Sequence, residues 1–378
     1  MHIAQVAPMY EAVPPARYGG TERVVFYLTE ELIRRGHDVT LFASADSHSS
    51  ARIVPTTDRA LRARFSVQEM REYAFPLHLA MIGEVLKRAH EFDIVHCHID
   101  YFPWPFAPFM RTPIVTTLHG RLDVPYLRPF FQYYPDTAVV SISHTQRAPL
   151  APVHPHWVGM IYNGIPVDEF PFNEAPGNYL LFLGRIAPEK CPDWAVAIAQ
   201  RSGMKLKVAA KVDPYDQEYY EREIKHLFDD PLIEFLGEVD EQQKRHLLAG
   251  AYALVFPIDW PEPFGLVQIE ALACGTPVLA MNRGSVPEVL INGVSGLIGN
   301  TVEELVALVP QLGLLNRWAC RREAEQRFSS AAMASGYEQV YTRMIAEYEK
   351  QQLTIDLNTT PGRRAVAYDD GQLPQYSG

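Results

Sequence analysis

One alternation constrains this chain more than any other feature. Short apolar runs of strand length take turns with longer amphipathic runs of helix length, and the series starts afresh near Tyr179. Strands separated by helices indicate an α/β fold built on mostly parallel sheets. Residues 3–7, 39–43, 94–96, 114–118, 139–142 and 158–162 read as strands of a first sheet, with a helix over 21–35 stopped by Gly36. Residues 179–183, 207–210, 233–235, 253–256 and 277–280 read as strands of a second. Its helices fall at 192–201, 215–227, 241–249 and 265–274. Between the two series, Asn163-Gly164 supplies turn chemistry and a polar, proline-bearing crossing runs from Pro171 to Gly177. The expected domains are therefore 1–168 and 169–330, followed by a long helix over 331–350 and a polar tail, 351–378, rich in breakers. A length of 378 residues exceeds the size at which single cores stop growing, which agrees with two domains.

The formal net charge of -11 argues against a general nucleic-acid binder, which would carry a basic footprint. No apolar run reaches membrane-span length, and the opening residues read as a first strand rather than a signal peptide. The four cysteines, Cys97, Cys191, Cys274 and Cys320, are scattered without metal-like pairing and suit a reducing compartment. A soluble, cytoplasmic protein is expected, with peripheral membrane contact left open.

The densest chemistry lies in Glu262-Pro-Phe-Gly-Leu-Val-Gln-Ile-Glu270-Ala-Leu-Ala-Cys-Gly-Thr-Pro277. Pro263 and Gly265 mark a turn, and a helix beginning near Gly265 puts Glu262 on the preceding loop and Glu270 more than one turn inside. First-turn N–H groups lack intrahelical partners and suit an anion or hydroxyl oxygens. Two carboxylates so placed suit two separate polyols, such as a sugar and a ribose; a buried helix after a solvated glutamate is the plainer alternative. Gly19-Gly20-Thr21 opens a helix but lacks the G-x-G-x-x-G spacing of a dinucleotide fingerprint. Arg185 and Lys190 follow the strand at 179–183 and are either exposed loop cations or a pair that stabilises a departing anion. His119 closes the strand at 114–118. His96 and His98 share a strand face, but no third ligand has suitable spacing, so no metal site is expected. Arg59, Arg62, Arg64 and Arg71 read as a solvated helical face, with an anionic or lipid-linked acceptor as the minor alternative.

Taken in order, Tyr18-Gly-Gly-Thr-Glu22, Asp93-Ile-Val-His-Cys-His98, Thr116-Thr-Leu-His-Gly120, Tyr162-Asn-Gly-Ile165, Gly184-Arg-Ile-Ala-Pro-Glu-Lys190, Phe235-Leu-Gly237, the Glu262–Glu270 segment, Pro287-Glu288 and Asn292-Gly-Val-Ser-Gly296 resemble the retaining GT-B glycosyltransferases of family 4 (glycosyl transferases group 1). The match runs from Met1 to about Lys350. The resemblance implies a GT-B fold, two Rossmann-like doubly wound domains facing a cleft, with the final helix crossing back onto the first domain. It implies that Gly20 lies against a donor diphosphate, that Arg185 and Lys190 balance the leaving group, and that His119 contacts the donor sugar near the reacting carbon. Glu262 would hold donor hydroxyls, Phe264, Gly265 and Leu266 would offer backbone N–H groups, and Glu270 would bind the nucleotide ribose. Gln268 and Ile269 would pack or face solvent. His98 and Asp100 would border the acceptor. Cys191 departs from the pattern, since many members carry glycine there.

The implied reaction moves a hexose-type sugar from a nucleoside diphosphate sugar to the hydroxyl of an unknown sugar, lipid or small-molecule acceptor, with retention and with no cofactor. The chain has no Asp-x-Asp motif, so a divalent metal on the diphosphate is not indicated. Same-face attack is favoured over a covalent intermediate because Glu262 is committed to hydroxyls. A GT-B epimerase or phosphorylase and a non-catalytic sugar-nucleotide binding module are the alternatives; a nicotinamide dehydrogenase is disfavoured by the missing fingerprint.

Overall fold

The computed structural model describes residues 1–17 and 19–359. Tyr18 and residues 360–378 of the expected tail lie outside the described residues. Two parallel sheets organise the molecule. The first has seven strands, β1 (His2–Val6), β2 (Asp38–Ala43), β3 (Arg52–Pro55), β4 (Ile94–Cys97), β5 (Ile114–Leu118), β6 (Val139–Ser141) and β7 (Trp157–Met160), in the order β3-β2-β1-β4-β5-β6-β7. The second has six, β8 (Tyr179–Ile186), β9 (Lys205–Val212), β10 (Ile233–Gly237), β11 (Ala253–Phe256), β12 (Val278–Met281) and β13 (Gly296–Gly299), in the order β10-β9-β8-β11-β12-β13. Helices on both faces explain why strands such as β4, β11 and β12 are buried at every position.

Strand order reverses between β1 and β4 in the first sheet and between β8 and β11 in the second. In open α/β sheets a crevice forms outside the carboxyl ends of the strands at that reversal. The segments leaving those ends carry Gly20, His98 and Asp100 on one side and Lys190 and Glu262 on the other, where Arg185 sits at the end of β8 itself.

Two elements differ from the sequence reading. The segment at 215–227 is not one helix: it passes through Pro214–Asp216, Gln217–Tyr219, the π-helical Tyr220–Ile224 and Lys225–Asp229. The final helix, expected to end at Lys350, spans Ser330–Thr359, because neither glycine nor proline interrupts the chain between Gly336 and Pro361. This helix packs on the first domain. Arg35 donates to Glu338 at 2.6 Å and to the Ala331 carbonyl at 2.6 Å, and His37 meets Glu338 at 2.8 Å. β3, β13 and the helix Val67–Arg88 complete the architecture beyond what the sequence pattern indicated.

Among the described residues, no helix is long and apolar enough to cross a membrane. The arginine cluster is not one helical face. Arg62 pairs with Glu11 at 3.2 Å, Arg64 pairs with Asp58, and Arg71 lies 5.9 Å from the Tyr215 ring across the cleft.

Candidate active site

A cavity of about 540 Å³ lies between the two sheets, and it is lined by Gly20, His98, Asp100 and His119 from one side. Arg185, Lys190, Glu262, Phe264, Gly265, Leu266 and Glu270 line it from the other. Every sequence-expected site residue therefore faces one space.

Local backbone explains the second wall. Gly265 caps the helix Leu266–Ala273 with φ +79°, and a Cβ there would sit 2.8 Å from Gln268 Nε2 and 2.9 Å from Phe256 Cζ. Only glycine fits both constraints. Gln268 is fully buried and donates to the Phe264 carbonyl at 2.9 Å, while Ile269 is also fully buried, so both residues pack. Among the described residues, no protein acceptor meets the N–H groups of Phe264, Gly265, Leu266 and Val267. They remain available to an anion at the helix start.

The charged residues do not stand free. Lys190 is hydrogen-bonded to Glu262, whose same oxygen accepts from Trp260 Nε1 at 3.0 Å. The Lys190 ammonium also lies 4.8 Å from the centre of the Trp260 ring. Arg185 donates to Asp216 at 2.6 Å and to Glu189 at 2.5 Å. Burial pushes the Asp216 carboxyl above its ordinary range, against the pull of Arg185. Glu270 is buried and pairs with Lys244 at 2.6 Å, and Lys244 in turn meets Glu241 at 2.9 Å. An entering ligand must share or replace these pairs. Trp260, Asp216, Glu189 and Lys244 were not singled out in the sequence; Asp216 and Lys244 come from segments remote from the residues they serve, whereas Trp260 and Glu189 lie close by in the chain and carry no signal of their contact.

Cys191 occupies the left-handed region, φ +48°, at the start of the helix Pro192–Ser202. The glycine-like conformation is thus retained by a residue with a side chain, whose thiol donates to the Pro188 carbonyl at 3.2 Å.

On the first wall, Gln146 brackets His119. Its amide donates to the carbonyls of Leu118 and Gly120 at 2.9 and 2.8 Å. His119 Nε2 lies 2.9 Å from His98 Nδ1, and His98 Nε2 lies 2.8 Å from Gln5 Oε1. Gln5 Nε2 donates to the Tyr341 hydroxyl at 3.1 Å, which meets His96 Nδ1 at 2.6 Å. His96 Nε2 then reaches Thr117 Oγ1 at 2.7 Å. An amide oxygen only accepts, so His98 Nε2 carries hydrogen and His98 Nδ1 accepts from His119 Nε2–H. Burial pushes all three imidazoles down, His119 to about 4, which keeps them neutral at pH 7. This wiring gives every ring nitrogen of His96 and His98 a protein partner. Among the described residues no group of three His, Cys, Asp or Glu is placed to hold a metal ion.

Asp100 follows β4 in the left-handed region, φ +48°, and burial pushes its carboxyl up to about 6. Glu22, also on this wall, is pushed up to about 7, chiefly by burial. Contacts across the cleft join the walls. Arg23 meets Glu241 at 3.0 Å, Arg17 meets Glu238 at 3.3 Å, and Ser143 Oγ donates to the Pro263 carbonyl at 2.7 Å. Glu288 accepts from the backbone N–H of His144 and Thr145 at 2.7 and 2.5 Å.

Residues 168–332 match a family model described as glycosyl transferases group 1, and residues 18–169 match one described as glycosyltransferase family 4. A glycogen synthase of Mycobacterium tuberculosis is 27% identical over 349 residues, covering 79% of this chain and 82% of that protein. A D-inositol 3-phosphate glycosyltransferase of Mycolicibacterium smegmatis is 25% identical, covering 87% of each. Sucrose-phosphate synthase from Thermosynechococcus elongatus superposes with a TM-score of 0.77 at 19% identity, over 92% of this chain and 100% of that one. Anabaena HepE in complex with UDP-glucose superposes with a TM-score of 0.67 at 16% identity, over 93% and 100%. At such identities the structural likeness establishes the fold.

Proposed function

This chain belongs to the group 1 glycosyltransferases of the GT-B fold and is an enzyme of sugar transfer, and we propose that its donor is a nucleoside diphosphate hexose, handled with retention and without a metal or other cofactor. The observation that carries the reading is the convergence of Arg185, Lys190, Glu262 and Glu270 with His119 on one cavity. A solved relative of the same fold binds UDP-glucose, which supports a nucleotide-sugar donor.

Glu262 accepts hydrogen bonds from two neighbouring hydroxyls of the donor sugar and fixes the ring. Lys190, released from Glu262 as those hydroxyls arrive, turns toward the diphosphate. Arg185 joins it, held in orientation by Asp216 and Glu189. The free N–H groups from Phe264 to Val267 add fixed dipoles, and Gly20 allows close backbone approach from the opposite wall. Charge developing on the leaving phosphate is stabilised by groups already in place, so little reorganisation accompanies bond cleavage. Glu270 binds the ribose while Lys244 holds its second function.

Neutral His119, whose Nε2–H is given to His98, accepts from a sugar hydroxyl at Nδ1 without adding positive charge beside the reacting carbon. Glu262 is engaged by the donor hydroxyls and by Trp260, which supports same-face attack assisted by the leaving phosphate over covalent capture. Arg23–Glu241 and Arg17–Glu238 narrow the cleft and limit donor hydrolysis.

The test is a panel of nucleoside diphosphate sugars, read by thermal stabilisation and by release of nucleoside diphosphate. One donor should both stabilise the protein and be consumed, with product of the donor's anomeric configuration by NMR. Stabilisation without consumption under any acceptor would instead indicate a binding module. A trapped glycosyl adduct on Glu262 would overturn the same-face reading.

A further inference from the structure

The wall supplied by the first sheet carries groups that donor chemistry leaves unused. The Asp100 carboxylate has no hydrogen-bond or ion-pair partner among the described residues, and burial alone accounts for its raised pKa. The Tyr10 hydroxyl nearby is likewise unpartnered. The arginines lining this wall are all engaged: Arg17 with Glu238, Arg23 with Glu241 and Arg62 with Glu11. Among the described residues, this side of the cavity therefore offers a free carboxylate and no free cation.

Beside Asp100 the wall is made of rings. Tyr10, His78 and Phe102 line the cavity, with centroids 5.1 Å apart for Tyr10–His78 and 5.3 Å for His78–Phe102. Both nitrogens of His78 are already used, one by the Met9 N–H at 3.2 Å and one by the Ala74 carbonyl at 2.7 Å, so it presents only a ring. The run continues out of the cavity. Phe102 stacks on Tyr101 at 5.3 Å and 5°, Tyr101 meets Phe130 at 4.7 Å, and Phe75, 54% exposed, meets Phe102 at 5.5 Å.

We propose that this wall is the subsite of an uncharged oligosaccharide acceptor, whose reacting unit gives hydroxyls to Asp100 and lies on Phe102, and whose next unit follows Tyr101 outward. Sugar C–H groups carry partial positive charge and settle on the negative faces of aromatic rings. Sugar hydroxyls satisfy a carboxylate that has no cation. A phosphate would meet Asp100 as a like charge with no free arginine to offset it. The continuity of the rings with the cavity, and the sign of its charge, favour a glycan over an anionic lipid.

This inference rests on the transferase reading, and one experiment separates their failures. The full chain is given its donor with water alone, then with free mono- to tetrasaccharides, phosphorylated monosaccharides, and vesicles carrying lipid-linked sugar. A trisaccharide should exceed its monosaccharide in kcat/KM by at least about tenfold, and a phosphorylated sugar should fall at least about a hundredfold below its neutral parent, as two or more missing contacts and a like charge predict. Asp100→Asn, which suits a left-handed φ, should narrow the neutral-to-phosphorylated ratio by at least about tenfold. Tyr101→Ala should bring the trisaccharide advantage close to one. Preference for phosphorylated or lipid-linked acceptors, no neutral sugar elongated, or ratios unmoved by either variant overturns the inference. If the donor is consumed by neither water nor any acceptor, the transferase reading falls as well.

Discussion

Gly284 is pressed against the backbone of Glu262: a Cβ at Gly284 would lie 2.4 Å from the Glu262 nitrogen and 2.5 Å from its carbonyl oxygen. Its φ is +52°, so the position is doubly closed to a side chain. The Glu262 loop thus has a rigid floor, reinforced by Ser285 N–H donating to the Glu262 carbonyl at 3.0 Å. Gly284→Ala should move Glu262 and lower kcat/KM by at least about tenfold, or about 1.4 kcal/mol of transition-state stabilisation. Steady-state kinetics beside circular dichroism checks this, and full activity in a folded variant refutes it.

Lys190 and Glu262 are assigned to opposite ends of the scissile bond, and they hold each other in the structure. Lys190→Ala and Glu262→Gln should each remove most turnover, about a hundredfold or more, and the double variant should lose far less than the product of the two. A double-mutant cycle in kcat reads the coupling; strict additivity would show that the pair does not work as a unit.

Glu270 is assigned to the ribose, away from the reacting carbon, with Lys244 at 2.6 Å. Glu270→Ala should raise the donor KM more than it lowers kcat. Lys244→Met leaves a buried carboxylate without its cation, so it should destabilise the fold by about 3 kcal/mol as well. Chemical denaturation and donor titration separate the two effects.

Two kinds of titration should be visible. His96, His98 and His119 have folded-state pKa values depressed by burial. Below the ordinary value of 6.5 the unfolded chain binds protons that the folded one refuses, so stability falls as pH drops from 6.5 toward 4, by up to about 1.4 kcal/mol per unit for each ring. Asp100 runs the other way: its pKa is raised to about 6, so acidification relieves its burial cost while removing the carboxylate from the acceptor wall. Activity on a neutral acceptor should therefore decline on the acid side with a midpoint near 6 that Asp100→Asn abolishes. A pH–rate profile with both proteins decides this.

The diphosphate is assigned to Arg185, Lys190 and the N–H groups at the helix start. A chelator should leave the rate within about twofold, since the charge is offset without Lewis-acid chemistry. Loss of activity on chelation, restored by magnesium or manganese, would contradict that assignment.

The parts legible in the sequence share one property: their signal is local. The Glu262–Glu270 segment announces its own turn, helix and spacing within one stretch, and the alternation of runs gives both sheets. What escaped notice depends on contact at a distance. Lys244, Asp216 and Gly284 each act on a residue that another part of the chain supplies, and so does Trp260 where its ring meets Lys190. The helix Val67–Arg88 was hidden by Pro76 inside it, although Ser66 and Glu69 form a capping box that marks its start. β3 and β13 have four residues each and too little length to show a period. Arg185 and Lys190 were read either as exposed loop cations or as a pair for a departing anion, because sequence shows residues and not their counter-ions; the folded chain holds both in ion pairs.

The phenol of Tyr341 joins Gln5 to His96 in the hydrogen-bonded line that begins at His119, yet it is carried by Ser330–Thr359, a helix that follows both sheets along the chain. Without it, the Gln5 amide and His96 Nδ1 lose the one hydroxyl that joins them. The first wall is consequently finished by the last helix to be added, and docking of that helix and order at His119 are one event.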